Sequence, residues 1–583
     1  MPTPEEIYEK LKAARASTTI ALKSTTMLRE QVVAPDGSLQ PLRLRYYQVQ
    51  GIYHLLWMDR MVLGDATGIG KSLQAIAMLC YLWDGKSPGM KAVIVAPKSA
   101  LHQWAAEFER FTHNIQTFVV SGKYEDRKAT YEAWASAPTE KGKGNALILN
   151  YAILVRDWDA EGFQPLLPNG NPDPKKPVLR GTLDAATTRV SEGGGIATFF
   201  DEASAFKNPL TKTWQTSRFL SDRSARTYGL TATLLKNNLM EGFAIYNVIK
   251  PGVFTTKTRF MNDFCVTQLQ TIPGGRKVPI VVGYKNLDSF RQRIDPYFIG
   301  RAKHMVSDEL PKLVTRVVTC EMSPAEDAKY KEALEGVLEL GDGEMKEYTD
   351  TAALTALIYC QQIVDSLTLL RFEEGSEIDI GPFGDSTVVK VKDRGSKELA
   401  LVDLINDELD GEKVILYTRF EKLVGRLQTI LKAEGIKSVR ITGKEKDKQR
   451  RAAQEAFQDP KSDVKVIVIT DAAKEALNLQ AASAEIFFDS PWSWGDYVQL
   501  LGRPIRIGSA HDTVIAFHLV AERPAAKYAD RRTIDHHVIS LLDQKKHLVD
   551  KVLGESTVGA LDFGGSGSAT KDLLKMMKER KKK

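Results

Sequence analysis

Residues Asp65-Ala66-Thr67-Gly68-Ile69-Gly70-Lys71-Ser72 lie between the apolar run Met61-Val62-Leu63 and the helix-like run from Leu73 to Trp83. A strand that ends in a Gly-containing loop and passes into a helix through Gly-Lys-Ser has the construction of a phosphate cradle. Loop N–H groups, with Gly68 and Gly70 allowing close approach, face the anion. Lys71 is placed to reach the terminal phosphates and Ser72 to ligate a magnesium ion. Asp65 stands where the general pattern has its first Gly, so this stretch alone also fits an ordinary Gly-rich turn, and the rest of the chain must decide.

The 583 residues give room for about three to four domains of ordinary size, and 43% hydrophobic with 26% charged residues is the composition of a globular chain. No apolar run reaches the roughly 18 residues of a membrane span, and Met1 to Lys23 is charged and lacks the apolar stretch of a signal peptide. The expectation is a cytoplasmic protein without a membrane partner. Cys80, Cys265, Cys320 and Cys360 form no Cys-x-x-Cys pair, which argues against a zinc site and a disulfide framework. A net charge of +6 permits a polyanionic partner without requiring one.

Beyond the loop, the apolar runs Ala92 to Ala96, Thr117 to Val120, Ala146 to Leu149, Ala197 to Phe200 and Tyr228 to Leu230 alternate with amphipathic stretches. This alternation predicts an α/β fold with a doubly wound parallel sheet and ligands at the carboxyl ends of its strands. Asp201-Glu202 stands at one such end, where paired carboxylates serve a cation and an attacking water, or else cap a following helix. Thr231-Ala232-Thr233 stands at another and reads as a γ-phosphate sensor or a plain turn. Upstream, Gln48 can pair with an adenine edge or simply belong to a capped helix. Gly162 to Gly195 is rich in Pro, Gly and Asn and reads as a surface insertion without regular structure.

A second alternating series comprises Val414 to Tyr417, Val439 to Thr442, Val466 to Thr470, Ile486 to Phe488 and Val514 to Val520, with no phosphate loop of its own. It carries Gln499-Leu500-Leu501-Gly502-Arg503-Pro504-Ile505-Arg506, whose arginines fall on one side of a helical turn. So placed, they can reach a γ-phosphate bound by the first sheet, or form surface ion pairs.

In this order the segments resemble the DNA-dependent ATPases of helicase superfamily two, specifically the Swi/Snf-type branch, from about Leu44 to Gly554. Asp65 to Ser72 is similar to the branch's Asp-Glu-x-Gly-x-Gly-Lys-Thr loop, which accounts for Asp65. Val93 to Leu101 with Trp104 resembles motif Ia, Asn150-Tyr151 motif Ib, Asp201-Glu202-Ala203-Ser204 the Asp-Glu-x-His box, and Leu230 to Asn238 motif III. Phe298-Ile299-Gly300-Arg301 with Leu310-Pro311 resembles a segment peculiar to the branch, while Thr470 to Ala482, Asp489 to Trp492 and Gln499 to Arg506 resemble motif V, Asp-Pro-x-Trp and motif VI. Departures are Ser204 for His, Ala473-Lys474 for Gly-Gly, and Gly502 for Asp.

The resemblance implies two RecA-like doubly wound parallel-sheet lobes with a helical insertion between them. Implied boundaries are an N-terminal segment 1–40, a first lobe 41–250 with an insertion at about 160–195, a mainly helical insertion 251–395, a second lobe 396–522, a brace helix 523–555 and a Gly/Ser- and Lys-rich tail 556–583. It implies ATP and Mg2+ as cofactors, with Lys71, Ser72 and Asp201 holding them, Glu202 preparing water, and Arg503 and Arg506 stabilising charge. Gln48, Gly68, Gly70 and Gln499 complete the nucleotide contacts, and Thr231 and Thr233 couple them to the rest. DNA is implied as the partner, bound without sequence preference through Pro97, Lys98, Ser99, Asn150 and Tyr151 in the first lobe, and Thr442, Gly443, Thr470 and Trp492 in the second. Absence of accessory modules points to a bacterial or virus-infected cell. The expected activity is translocation on double-stranded DNA, the alternatives being a strand-separating helicase and an ATP-gated DNA clamp with negligible turnover.

Overall fold

The structure, a computed structural model, describes residues 25–33, 38–160, 182–271, 277–301, 310–342, 344–347, 353–380, 387–471, 477–506, 509 and 511–553. Of these, residues up to 301 together with 548–553 belong to one compact unit, and residues 310–547 belong to a second.

In the first unit, helix α1 (Tyr46–Trp57) leads into β1 (Arg60–Leu63), which is followed by α2 (Lys71–Tyr81). Then come β2 (Lys91–Ala96), α3 (Leu101–Phe111), β3 (Ile115–Val119), β4 (Gly144–Asn150), α4 (Tyr151–Ala160) and α5 (Thr182–Gly193). The sheet is completed by β5 (Ile196–Asp201), β6 (Arg226–Leu230) and β7 (Phe298–Ile299), in the order β7-β1-β6-β5-β2-β4-β3, every pair parallel. All residues of β2 and β4 are buried, because helices cover both faces and leave no polar side to the strand.

Register then fixes what stands at the carboxyl edge. Leu63 pairs with Leu230, Leu230 with Asp201, Val95 with Phe200 and Ala96 with Asn150. The loop after β1, the Asp-Glu pair, the threonines after β6 and the segments after β2 and β4 therefore leave one edge of one sheet.

The second unit holds β8 (Lys312–Glu321), α6 (Ala353–Asp365), α7 (Ser396–Asp403), β9 (Val414–Tyr417), β10 (Ser438–Ile441), β11 (Val466–Ile469), β12 (Ala484–Phe487), α8 (Trp494–Leu501), β13 (Thr513–Glu522) and most of α9 (Ile534–Leu553). Its parallel sheet has the order β8-β13-β12-β9-β11-β10. No helix among the described residues is long and apolar enough to cross a membrane.

Three expectations need correction. The stretch from Gly162 to Gly195 is not irregular throughout: α5 occupies its second part, and Leu183, Ala186, Thr187 and Val190 bury one helical face. Its prolines all precede α5, in residues 161–181, which lie outside the described set. Among its described residues the interval 251–395 is not mainly helical, since it supplies β7 to the first sheet, β8 to the second, and a hairpin pairing Cys265–Thr271 with Lys277–Tyr284. β8 is rich in Val and Thr but half exposed along its length, so it lacks the continuous apolar run by which the other long strands are recognised. Finally, α8 ends at Leu501, and Arg503 and Arg506 lie in the turns beyond it. The Ala473-Lys474 pair, the N-terminal segment to residue 24 and the tail from 554 fall outside the described residues.

Candidate nucleotide and nucleic-acid site

The loop after β1 takes its shape from glycines at positive φ, +84° at Gly68 and +89° at Gly70. A Cβ on Gly70 would lie 2.5 Å from Gln48 Nε2, so the loop can close on α1 only with glycine there. Gln48 is buried and its amide bridges two elements: Oε1 accepts from Arg45 N at 2.9 Å, capping α1, and Nε2 donates to Ile69 O at 3.3 Å. The structure thus shows the capped helix, and the same amide also ties α1 to the phosphate loop.

Lys71 is the first residue of α2, and its Nζ donates to Asp65 O at 2.8 Å and Ala66 O at 3.2 Å. Within the same loop Thr67 Oγ1 is buried and has no hydrogen-bond partner. A buried hydroxyl without a partner, an ammonium resting on carbonyls that a stronger anion would displace, and a helix N-terminus behind it suit a triphosphate. Among the described residues, no three His, Cys, Asp or Glu side chains gather as a metal site. A magnesium ion here would be held by Ser72, Asp201 and the phosphates themselves, the usual arrangement for a cation that keeps most of its water.

Asp65 is fully buried, and its carboxylate is shared between Gln74, whose Nε2 donates to Oδ2 at 2.9 Å, and Arg301, which follows β7. Arg301 also donates to Gln74 Oε1 at 3.0 Å and to the carbonyl of Tyr47 in α1. The phosphate loop, α1, α2 and the end of β7 are therefore tied through one guanidinium. Neither Arg301 nor Gln74 is among the functional residues that the sequence singles out. Arg301 belongs to a segment that stood out in the sequence, but Gln74, one turn into α2, carries no signal.

Asp201 Oδ2 accepts from the indole Nε1 of Trp104 at 2.8 Å, and Oδ1 from Glu202 N at 3.0 Å. Burial, and after it the charge of Glu202, pushes the Asp201 carboxyl up to about 7, while Trp104 and Lys71 pull it back. Glu202 has φ +51° and heads the short turn Ala203–Phe206 without a side-chain capping bond, so the helix-capping alternative does not describe it. Beside this pair, Thr231 N donates to Leu63 O at 3.1 Å and its Oγ1 accepts from Thr233 N at 3.1 Å, joining the segment after β6 to the strand that feeds the phosphate loop. Glu241 fixes the rest of that segment by accepting from Lys236 N at 2.6 Å and Asn237 N at 2.8 Å.

At the same edge, Lys98 and Ser99 are exposed and Pro97 is partly so. The other expected DNA contacts of this unit have internal partners: Asn150 Oδ1 accepts from Ile153 N at 2.8 Å, and Tyr151 Oη donates to Asp201 O at 2.7 Å.

In the second unit Gly443 is exposed, whereas Thr442 and Thr470 are buried, Thr442 Oγ1 donating to Glu445 Oε2 at 2.6 Å. Trp492 donates to Gln361 Oε1 at 2.8 Å, with the Arg419 guanidinium 5.6 Å over its ring, so its contacts are those of a packed residue. Gln499 and Arg503 are buried. Arg503 donates to Leu477 O at 3.1 Å and Arg506 to Asn478 Oδ1 at 2.9 Å, so the two arginines converge on adjacent residues although no helix carries them.

A family model described as the SNF2-related domain matches residues 47–369, and one described as the helicase conserved C-terminal domain matches residues 396–508. The chain is similar to the SWI/SNF chromatin-remodeling complex subunit snf22 of Schizosaccharomyces pombe, at 24% identity over 88% of this chain and 28% of the relative. It is also similar to an uncharacterized ATP-dependent helicase of Mycoplasma pneumoniae, at 22% identity over 88% of this chain and 42% of the relative. The chain thus spans less than half the length of these curated relatives. Among solved structures, the Sulfolobus solfataricus SWI2/SNF2 ATPase core in complex with dsDNA aligns over 92% of this chain and 95% of that one, with 21% identity and a TM-score of 0.35.

Proposed function

This chain belongs to the SNF2-related family, and on that premise we propose that it is a DNA-dependent ATPase that uses hydrolysis to translocate on double-stranded DNA. The observation that carries the reading is the register of the first sheet. It brings the positive-φ glycine loop with Lys71, the Asp201-Glu202 pair and the Thr231 segment to one edge, which is what phosphoryl transfer to water requires.

In this reading Lys71 exchanges its loop carbonyls for the terminal phosphates, and Ser72 and Asp201 hold the cation. Bound Mg2+ supplies charge neutralisation on the phosphates. Glu202, next to a carboxylate that must stay ionised for the cation, accepts the proton of the attacking water. Thr231 and Thr233 link the γ-phosphate to the segment held by Glu241. Arg503 and Arg506, with Gln499 on α8, are the residues of the second unit whose chemistry suits a phosphoryl group. Lys98, Ser99 and Gly443, exposed after parallel strands, contact the DNA backbone, which positions without reading sequence.

The test is phosphate release with and without duplex DNA. Wild-type turnover should rise on adding duplex, and Lys71→Ala should abolish it; retention of DNA-stimulated turnover by Lys71→Ala would sink the reading. Triplex displacement without forked-duplex unwinding separates translocation from strand separation.

A further inference from the structure

Asp201 is held at three atoms by donors from three parts of the chain. Besides Glu202 N on Oδ1, these are Trp104 Nε1 on Oδ2 and Tyr151 Oη on the main-chain carbonyl. Both aromatic residues lie in helices that follow strands ending at the carboxyl edge of the sheet. Trp104 lies in the first turns of α3, which continues without a break from the short turn Lys98–Ala100. Tyr151 is the first residue of α4, where β4 ends.

Neither ring is free to drift. The Trp104 indole is 2% exposed and packs 6.2 Å from Phe108, and Tyr151 packs 6.3 Å from Phe206, which in turn lies 5.1 Å from Phe200 of β5. A buried indole N–H needs an acceptor, and here that acceptor is a carboxylate oxygen needed for the cation. A shift of the Lys98–Ala100 turn therefore moves a rigid ring whose far end grips Asp201. The adjoining Glu202 sits in the left-handed region that L residues rarely adopt, so its backbone depends on what fixes Asp201.

We propose that Trp104 and Tyr151 are positioning residues that link the neighbouring ends of β2 and β4 to the aim of the Asp201 carboxylate, so that duplex DNA on the exposed Lys98–Ser99 turn at that edge sets the hydrolysis rate through two hydrogen bonds. This rests on the reading of the chain as a DNA-dependent ATPase. The bonds of both residues go to Asp201, and each acts through it.

The experiment measures kcat with and without saturating duplex DNA for the wild-type chain, Trp104→Phe, Tyr151→Phe and the double variant, alongside duplex affinity and melting temperature. Each replacement keeps an aromatic ring and removes one donor. Trp104→Phe should cut the DNA-stimulation ratio by about tenfold, the scale of one charge-assisted hydrogen bond. Tyr151→Phe should cut it less, because it loses a neutral carbonyl bond, and the effects should be non-additive in the double variant. Duplex affinity should stay within about twofold of wild type, a phosphate-contact loss being the alternative it excludes. A variant that slows turnover equally with and without DNA, leaving the ratio intact, has a structural role only and overturns the proposal. Should Trp104→Phe fail to fold, Tyr151→Phe with an unchanged ratio overturns it alone. If wild-type turnover itself ignores duplex DNA, it is the functional reading that fails; if wild type is stimulated and the variants match it, only the coupling does.

Discussion

Arg301 grips Asp65 as a two-pronged buried pair, Nε to Oδ1 at 2.8 Å and Nη2 to Oδ2 at 2.6 Å, with both side chains almost wholly enclosed. The residue that sets this chain's phosphate loop apart from the general pattern thus exists to receive a guanidinium from more than two hundred positions away. Removing the guanidinium strands a buried carboxylate. Arg301→Gln should therefore cost about 3–5 kcal/mol in urea denaturation, whereas replacing both partners by apolar residues should cost much less. A loss under about 1 kcal/mol for Arg301→Gln would show the pair to be solvated instead.

Gly51 in α1 makes that grip possible. A Cβ there would lie 1.8 Å from Gln74 Oε1 and 2.8 Å from Arg301 Nη2. Gly51→Ala, although alanine favours helices, should lower stability by about 1–3 kcal/mol through overpacking and weaken binding of a fluorescent ATP analogue. An unchanged or raised melting temperature would mean that Gln74 can swing aside at no cost.

In the second unit Lys397 is fully buried and donates to Asp365 Oδ1, Asp535 Oδ2 and Phe488 O, each at 2.9 Å. It joins α6, α7, the end of β12 and the start of α9. Burial holds the Asp365 carboxyl well above the usual range despite the lysine. Lys397→Met should destabilise by about 3–5 kcal/mol, and adding Asp365→Leu should restore much of it, since the second change removes an uncompensated buried acid. Failure of the second substitution to recover stability would assign the loss to packing or to Asp535, the acid still left without its lysine.

His518 of β13 has Nδ1 2.9 Å from Ser490 Oγ and Nε2 3.0 Å from Tyr497 Oη, its ring stacked 4.8 Å from Phe487. Burial drives its pKa down from 6.5 to about 3. Between those values the unfolded chain binds a proton that the folded chain refuses, so this stabilisation is full above pH 6.5 and is lost as pH falls towards 3. The slope can reach about 1.4 kcal/mol per pH unit. Denaturation midpoints taken between about pH 7 and pH 5 should fall more steeply for wild type than for His518→Gln; parallel curves would remove His518 from the acid response.

Most strands were legible because a parallel strand covered by helices on both faces has to be apolar throughout, and Val414–Tyr417 and Val466–Ile469 show this plainly. β7 could not be read in the same way: two residues carry no period, and they join the sheet only because Phe298 and Ile299 pair with Val62 and Leu63. β8 is an edge strand with a solvated face, and α5 followed a proline-rich stretch whose character masked its own apolar face. At the site, Lys71, Asp201 and Glu202 announced themselves by chemistry and position. Asn150, Tyr151 and Trp492 did not reveal that their polar atoms are taken up inside the protein.

The sequence by itself determined the parallel sheets, the loop that suits a triphosphate and the carboxylate pair, because these depend on local spacing and on burial that composition records. Only the tertiary structure decided which donors hold those groups. Trp104 and Asp201 are 97 residues apart and Arg301 and Asp65 are 236 apart. A hydrogen bond is specified by an atom's position to within a few tenths of an ångström, and neither residue type nor spacing carries that until the strands are in register.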